Sequence, residues 1–190
     1  MKVIIIEGTD NVGKDTVIER LANDFNKSII YHCEKPKSKT PEEQTVEQEA
    51  EFAKLAGYSR YCAMKHSDGA YIHNRSAYGE YVYGCMYRNN NEQDVINMIW
   101  NFEKALGDDI DIRLIVLLSD SVDFLVKNDD GLSISNAKKE LIEEETLRFE
   151  EIFCLSKLRH KKLVYVNNGD KFRDRDDIYN EILNFINEDD

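Results

Sequence analysis

Hydrophobic positions along the chain fall into two kinds of block. Short apolar runs stand at Val3-Ile4-Ile5-Ile6, Ser28-Ile29-Ile30-Tyr31-His32, Ala70-Tyr71-Ile72-His73, residues 112–118 and Leu163-Val164-Tyr165-Val166. Between them apolar residues recur at helical spacing, as in Val17, Ile18, Leu21, Ala22 and Phe25, or Val95, Ile96, Ile99, Trp100 and Phe102. A short bounded run reads as a buried strand and a 3.6-residue period as an amphipathic helix. The pattern predicts a first helix ending near residue 26 and a long one over about 42–64, with Gly57 as a candidate break. Further helices are expected over 76–87, 91–106, 121–127, 137–158 and 177–186. Ser67-Asp68-Gly69 and Asn128-Asp129-Asp130-Gly131 read as turns; the second lacks the downstream glutamate of a calcium loop. Five strands alternating with helices mean an α/β chain: a five-stranded parallel sheet covered on both faces, in three layers α/β/α.

The connection between the first strand and the first helix carries chemistry. It reads Gly8-Thr9-Asp10-Asn11-Val12-Gly13-Lys14-Asp15-Thr16, a G-x-x-x-x-G-K loop in strand–turn–helix context. The glycines let the backbone curl so that successive N–H groups point inward as an anion nest. The following helix adds the positive end of its dipole, and Lys14 adds an ammonium for the β- and γ-phosphates. Residues 8–16 are therefore the candidate ATP-binding segment, and the architecture becomes a P-loop nucleoside triphosphate hydrolase fold. Parallel sheets place ligands beyond the carboxyl ends of their strands, where this loop lies. The position after the lysine usually holds Ser or Thr, whose hydroxyl binds Mg²⁺; here it is Asp15. Either Asp15 ligates the metal, directly or through water, or it turns outward and Thr16 meets the phosphates. Without a metal, a carboxylate there repels the nucleotide.

Composition narrows the rest. The 190 residues suffice for one domain with a substantial core, and 42% hydrophobic with 33% charged residues reads as folded and soluble. A net charge of −12 disfavours a nucleic-acid surface, which wants a basic stripe. No apolar run approaches the ~18 residues of a membrane span, and the N-terminus runs straight into the first strand, so neither a membrane segment nor a leader is expected. Cys33, Cys62, Cys85 and Cys154 are scattered without a C-x-x-C, which suggests reduced thiols and a cytoplasmic protein. His32, Cys33, Cys62 and His66 match no usual zinc spacing.

The first strand end and loop, Glu7-Gly8-Thr9-Asp10-Asn11-Val12-Gly13-Lys14, resemble the Glu-Gly-x-Asp-x-x-Gly-Lys loop of thymidylate kinases. The resemblance implies that Asp10 touches the acceptor sugar or its neighbourhood. Glu34-Lys35-Pro36 partly resembles that family's Arg-Glu-Pro; the arginine is absent, so Lys35 or Lys37 supplies the cation. Asn74-Arg75-Ser76 resembles its Asp-Arg-Tyr, with asparagine for the acid, and Arg75 becomes the expected clamp on the acceptor phosphate, since a guanidinium fork matches phosphate oxygens. Tyr83 falls on the tyrosine of the family's Ala-Tyr-Gln-Gly, with Gly84 in place of its glutamine. Tyr78, Tyr81 and Tyr83 are either a stacking wall for a base or core aromatics. Arg60 resembles a helix arginine that reaches the monophosphate. Residues 127–139 occupy the place of an arginine-bearing lid, with Lys127 standing in for the arginine. Asn167-Asn168-Gly169-Asp170 lies where the family has its adenine-binding loop.

The layout of the whole chain is similar to this family, and phage-type deoxynucleotide kinases are close neighbours that also carry Gly-Lys-Asp-Thr. The resemblance implies a nucleoside monophosphate kinase. ATP lies over residues 8–16 with Mg²⁺ held at Asp15 and Thr16, and the monophosphate, dTMP first, binds near Asp10, Lys35, Arg60, Arg75, Tyr78 and Tyr83. Lys14, Arg75 and Lys127 meet the charge of the transferred group. The family usually forms homodimers. A deoxynucleoside kinase is the alternative: Asn74-Arg75-Ser76 also resembles the Glu-Arg-Ser of that family, and Glu34 would be its carboxylate base. A non-catalytic nucleotide-binding module is a third reading.

Overall fold

A computed structural model describes residues 1–66 and 68–188 of the chain; Ser67 of the expected Ser67-Asp68-Gly69 turn lies outside them. Strands β1 (Lys2–Gly8), β2 (Ser28–His32), β3 (Ala70–Asn74), β4 (Ile112–Leu118) and β5 (His160–Tyr165) form one sheet in the order β2-β3-β1-β4-β5. All its pairings are parallel, with Ile6 beside both Asn74 and Ile115. The five-stranded α/β/α architecture expected from the periodicity is therefore present.

The alternation of β1 assigns its two faces. Val3 and Ile5 join one apolar cluster, with α2 (Pro41–Lys65), the segment after β3, and α4 (Glu92–Leu106). Ile4 and Ile6 join the other, with α1 (Lys14–Asp24), α5 (Val122–Lys127) and α7 (Arg175–Asn187). All four β1 side chains are fully buried, each contributing about 1.5–3 kcal/mol by removal from water. Helix α6 (Lys139–Leu155) packs Phe149 and Ile152 into the first cluster and Ile142 into the second.

Several boundaries differ from expectation. Gly57 does not break α2, which runs unbroken from a capping box between Thr40 and Glu43, with Pro41 in its first turn. The helix expected over 76–87 contains a π-helical turn, Glu80–Gly84, before the short α3 (Cys85–Arg88). The expected loop at 167–170 is the bend of a small antiparallel hairpin, β6 (Asn167–Asn168) with β7 (Lys171–Phe172). No described helix is long and apolar enough to cross a membrane.

Candidate nucleotide site

The loop leaving β1 takes its shape from backbone constraints. Gly8 has φ +140°, and a β-carbon there would lie 2.0 Å from the carbonyl oxygen of Leu117 on the neighbouring strand. Gly13 caps α1 with φ +83°, and Asn11 also adopts a left-handed conformation, which asparagine tolerates better than most residues. Val12 faces inward as an anchor. Lys14 folds back over the nest: its Nζ donates to Gly8 O at 2.9 Å and also to Thr9 O, with Asp10 Oδ1 at 4.0 Å. Burial pushes the Lys14 ammonium down to about 8; Arg75 acts in the same direction, and Asp10, Glu7 and Asp15 oppose it. Thr9 Oγ1 is buried and has no hydrogen-bond partner among the described residues.

β3 delivers the second half of the site. Arg75, just past the strand, has φ +69°. Its Nη2 donates to Asp10 Oδ1 at 2.8 Å, and its guanidinium lies 5.5 Å from the centre of the Tyr83 ring. Ser76 donates to Glu7 Oε1 at 2.8 Å. Burial raises the Glu7 carboxyl to about 7, while Ser76, Arg75 and Lys14 pull it back.

Two clefts meet at Arg75 and Asp10. The larger, ≈ 850 Å³, is lined by residues 10, 11 and 13–16 of the loop and α1, with His32, Asn74 and Arg75. The smaller, ≈ 70 Å³, is lined by Asp10, Arg75, Lys35, Tyr83, Glu80 and Arg88 among others. Asp130 and Leu132, from the segment expected to form a lid, also border the larger cleft. Asp10, Lys14, Asp15, Thr16, Lys35, Arg75 and Tyr83 each line one or both of these two clefts.

Four of the expected residues do not reach the site. Arg60 is held at the opposite end of the sheet by Asp109, at 2.6 and 3.0 Å, and by Leu106 O; that bidentate pair satisfies its fork far from the loop. Tyr78 is fully buried, donates to Glu103 at 2.8 Å and packs edge-on against Phe102, so it is core and not a base-stacking face. Tyr81 is likewise engaged, by Glu151 and Arg148. Lys127 ends α5 with an exposed side chain and lines neither cleft.

Other residues at the site escaped the sequence reading. Glu145 of α6 turns inward, accepts from Tyr87 OH at 2.5 Å, and lines a small cavity with Thr9 and Asp10. Burial raises its carboxyl to about 7. Glu80 is paired with Arg88 at 2.6 Å beneath the smaller cleft. The one legible signal was Glu7, an acid ending an otherwise apolar strand.

Magnesium favours oxygen ligands and commonly uses one or two carboxylates plus substrate phosphates. Asp15 and Thr16 present a carboxylate and a hydroxyl to the larger cleft, so the donors fit the ion. No cluster of three His, Cys, Asp or Glu residues suited to a metal occurs among the described residues, so the nucleotide's own oxygens would complete the set.

No protein-family model and no curated protein matches the sequence. Solved structures do. The YorR protein from Bacillus subtilis, in complex with phosphorylated GDP, superimposes with a TM-score of 0.68 at 18% identity, over 97% of this chain and 95% of its own. A thymidylate kinase from Candida albicans, described as having broad substrate specificity, gives 0.67 at 16% identity, over 97% and 90%. A deoxyadenosine kinase from M. mycoides with bound dATP gives 0.58 at 15%, over 98% and 100%. The chain therefore has the fold of the P-loop nucleotide kinases.

Proposed function

We propose that the protein is an ATP-dependent nucleoside monophosphate kinase acting on deoxynucleotides, with dTMP the first candidate acceptor. The observation that carries this reading is the Arg75 guanidinium, held by Asp10 where the two clefts meet. A fork at that junction addresses the phosphate of an acceptor in the smaller cleft and the γ-phosphoryl group over the loop. The acceptor phosphate is already an anion, so the site needs no strong general base. Rate then comes from in-line positioning and from cations meeting the charge of the transferred group. Lys14 fills that second role; Asp15 and Thr16 would hold a magnesium ion that screens the phosphates. Lys35 and Tyr83 contribute charge and an aromatic wall to the acceptor side.

The deoxynucleoside kinase alternative requires a carboxylate to take a hydroxyl proton. Its sequence candidate, Glu34, is an exposed residue bonded to Lys37. The hydrogen bond from Lys37, and then its charge, hold Glu34 below its ordinary value, the wrong direction for a base. The decisive experiment follows ADP release with ATP and each of dTMP, dGMP, dCMP, dUMP and dAMP, beside the corresponding nucleosides. Turnover on one or more monophosphates is expected. Turnover on nucleosides alone would reassign the enzyme, and ATP binding without transfer to any acceptor would make it a binding module.

A further inference from the structure

Residues 15 and 74 both depart from the resembled pattern, with an acid in place of a hydroxyl and an amide in place of an acid. The fold brings the two together: Asn74 Nδ2 donates to Asp15 Oδ1 at 2.7 Å, and the same nitrogen lies 3.0 Å from His32 Nδ1. All three residues line the larger cleft beside Lys14. Asn74 ends β3 in register with Ile6 on one side and His32 on the other, and it is only 8% exposed. Its amide therefore sits on a rigid element. An ionised carboxylate only accepts, so the amide nitrogen must face Asp15; the second N–H then points at His32 Nδ1, which accepts while Nε2 carries the ring proton.

We propose that Asp15 and Asn74 are an exchanged pair: the carboxylate that serves a divalent cation beside the phosphate nest is carried by α1, and Asn74 is the positioning residue that aims it. This rests on the nucleotide-kinase reading of the cleft. The physical requirement is one donor and one acceptor at this contact. Two carboxylates at 2.7 Å would repel, while a hydroxyl facing an amide would offer the cation no carboxylate from either position. A hydroxyl at 15 with an acid at 74 satisfies the same contact in the opposite order. Each departure is thus compensated by the other. With Oδ1 held by Asn74, Asp15 Oδ2 is left for the ion.

The test is a double-mutant cycle on the full chain, comparing wild type, Asp15→Ser, Asn74→Asp and the combined variant. The readout is Mn²⁺ affinity, by electron paramagnetic resonance, in the presence of a non-hydrolysable ATP analogue; analogue affinity in EDTA is measured alongside. Asp15→Ser is expected to weaken Mn²⁺ binding at least about tenfold, whereas analogue affinity in EDTA should hold or tighten, because the carboxylate that repels metal-free phosphates is gone. Asn74→Asp is expected to lower the melting temperature without metal and to regain it when Mn²⁺ and analogue are added. The combined variant is expected to return Mn²⁺ affinity to within about threefold of wild type. Wild-type metal affinity in Asp15→Ser, or a combined variant as weak as that single one, overturns the exchange while leaving the kinase reading intact. Failure of the wild-type chain to bind the analogue at all overturns both.

Discussion

Arg75 and Asp10 form a 2.8 Å ion pair that spans the boundary between the two clefts. Arg75 adopts a left-handed backbone conformation, φ +69°, which costs a non-glycine residue on the order of 1–3 kcal/mol. Such strain persists only where the surroundings over-determine it. Here the backbone N–H of Arg75 is tied to Ile6 O, its head to Asp10, and its plane lies over Tyr83. The guanidinium is therefore preset before substrate arrives. Arg75→Lys keeps the charge but loses the fork, so kcat/KM for the monophosphate should fall at least about tenfold while binding of an ATP analogue changes less. Steady-state kinetics with the acceptor varied, together with analogue calorimetry, check this. Equal losses on both sides would place Arg75 with the donor nucleotide.

Lys14 is held in reserve by the loop it serves. Its ammonium is satisfied by the carbonyls of Gly8 and Thr9, and burial beside Arg75 weakens its hold on its proton. Phosphates entering the nest would restore that hold. Lys14→Ala should lower turnover at least about a hundredfold with the circular dichroism spectrum unchanged. Near-wild-type turnover would remove Lys14 from the mechanism.

Gly8 and Gly13 bracket the loop but answer to different constraints. A methyl group at residue 8 meets Leu117 O at 2.0 Å in a backbone region that side chains rarely adopt; at residue 13 nothing lies within 4 Å and only the left-handed φ matters. Gly8→Ala should cost about 3 kcal/mol or more, because neither strand backbone can yield. Gly13→Ala should cost about 1–2 kcal/mol. Urea unfolding of the two variants measures the difference. Similar losses would mean that β1 and β4 can separate locally.

Legibility in the sequence followed the range of the interactions. β4, the run at 112–118, and the turn between β1 and α1 are readable because their causes are local: unbroken apolar runs and a glycine–lysine spacing. The apolar pattern starts α6 at 137, but Asn136 and Ala137 both take positive φ, which no periodicity records. The pattern ends it at 158; Ser156 stops it, because its hydroxyl is claimed by Glu103 of α4 at 2.7 Å. Arg60 shows the same limit at the site, since Asp109, which diverts it, is 49 positions away. Glu143, Glu144 and Glu145 are indistinguishable in sequence, yet only Glu145 is buried against the loop cavity.

A pH dependence of stability follows from His73, fully buried in β3 between Ile5 and Tyr31. Ser59 Oγ gives its proton to Leu55 O at 2.7 Å, so the 2.8 Å contact with His73 Nε2 requires the ring to donate. The other ring nitrogen, Nδ1, has no partner among the described residues, which makes a charged ring expensive. Burial lowers the His73 pKa from 6.5 to about 3. Below pH ~6.5 the unfolded chain binds a proton that the folded chain refuses, so this contribution to stability is complete above that pH and is lost as pH falls. The loss is about 1.4 kcal/mol per pH unit until the folded pKa is approached. His73→Gln carries no such proton. Between pH 7.5 and 5.0 its unfolding free energy should therefore fall by about 2 kcal/mol less than that of the wild type. Urea titrations of both proteins at the two pH values give this difference directly, and carboxylates that titrate in the same window cancel from it. Equal losses would show that the folded protein accepts the proton, and that the β3 face beneath the site admits water.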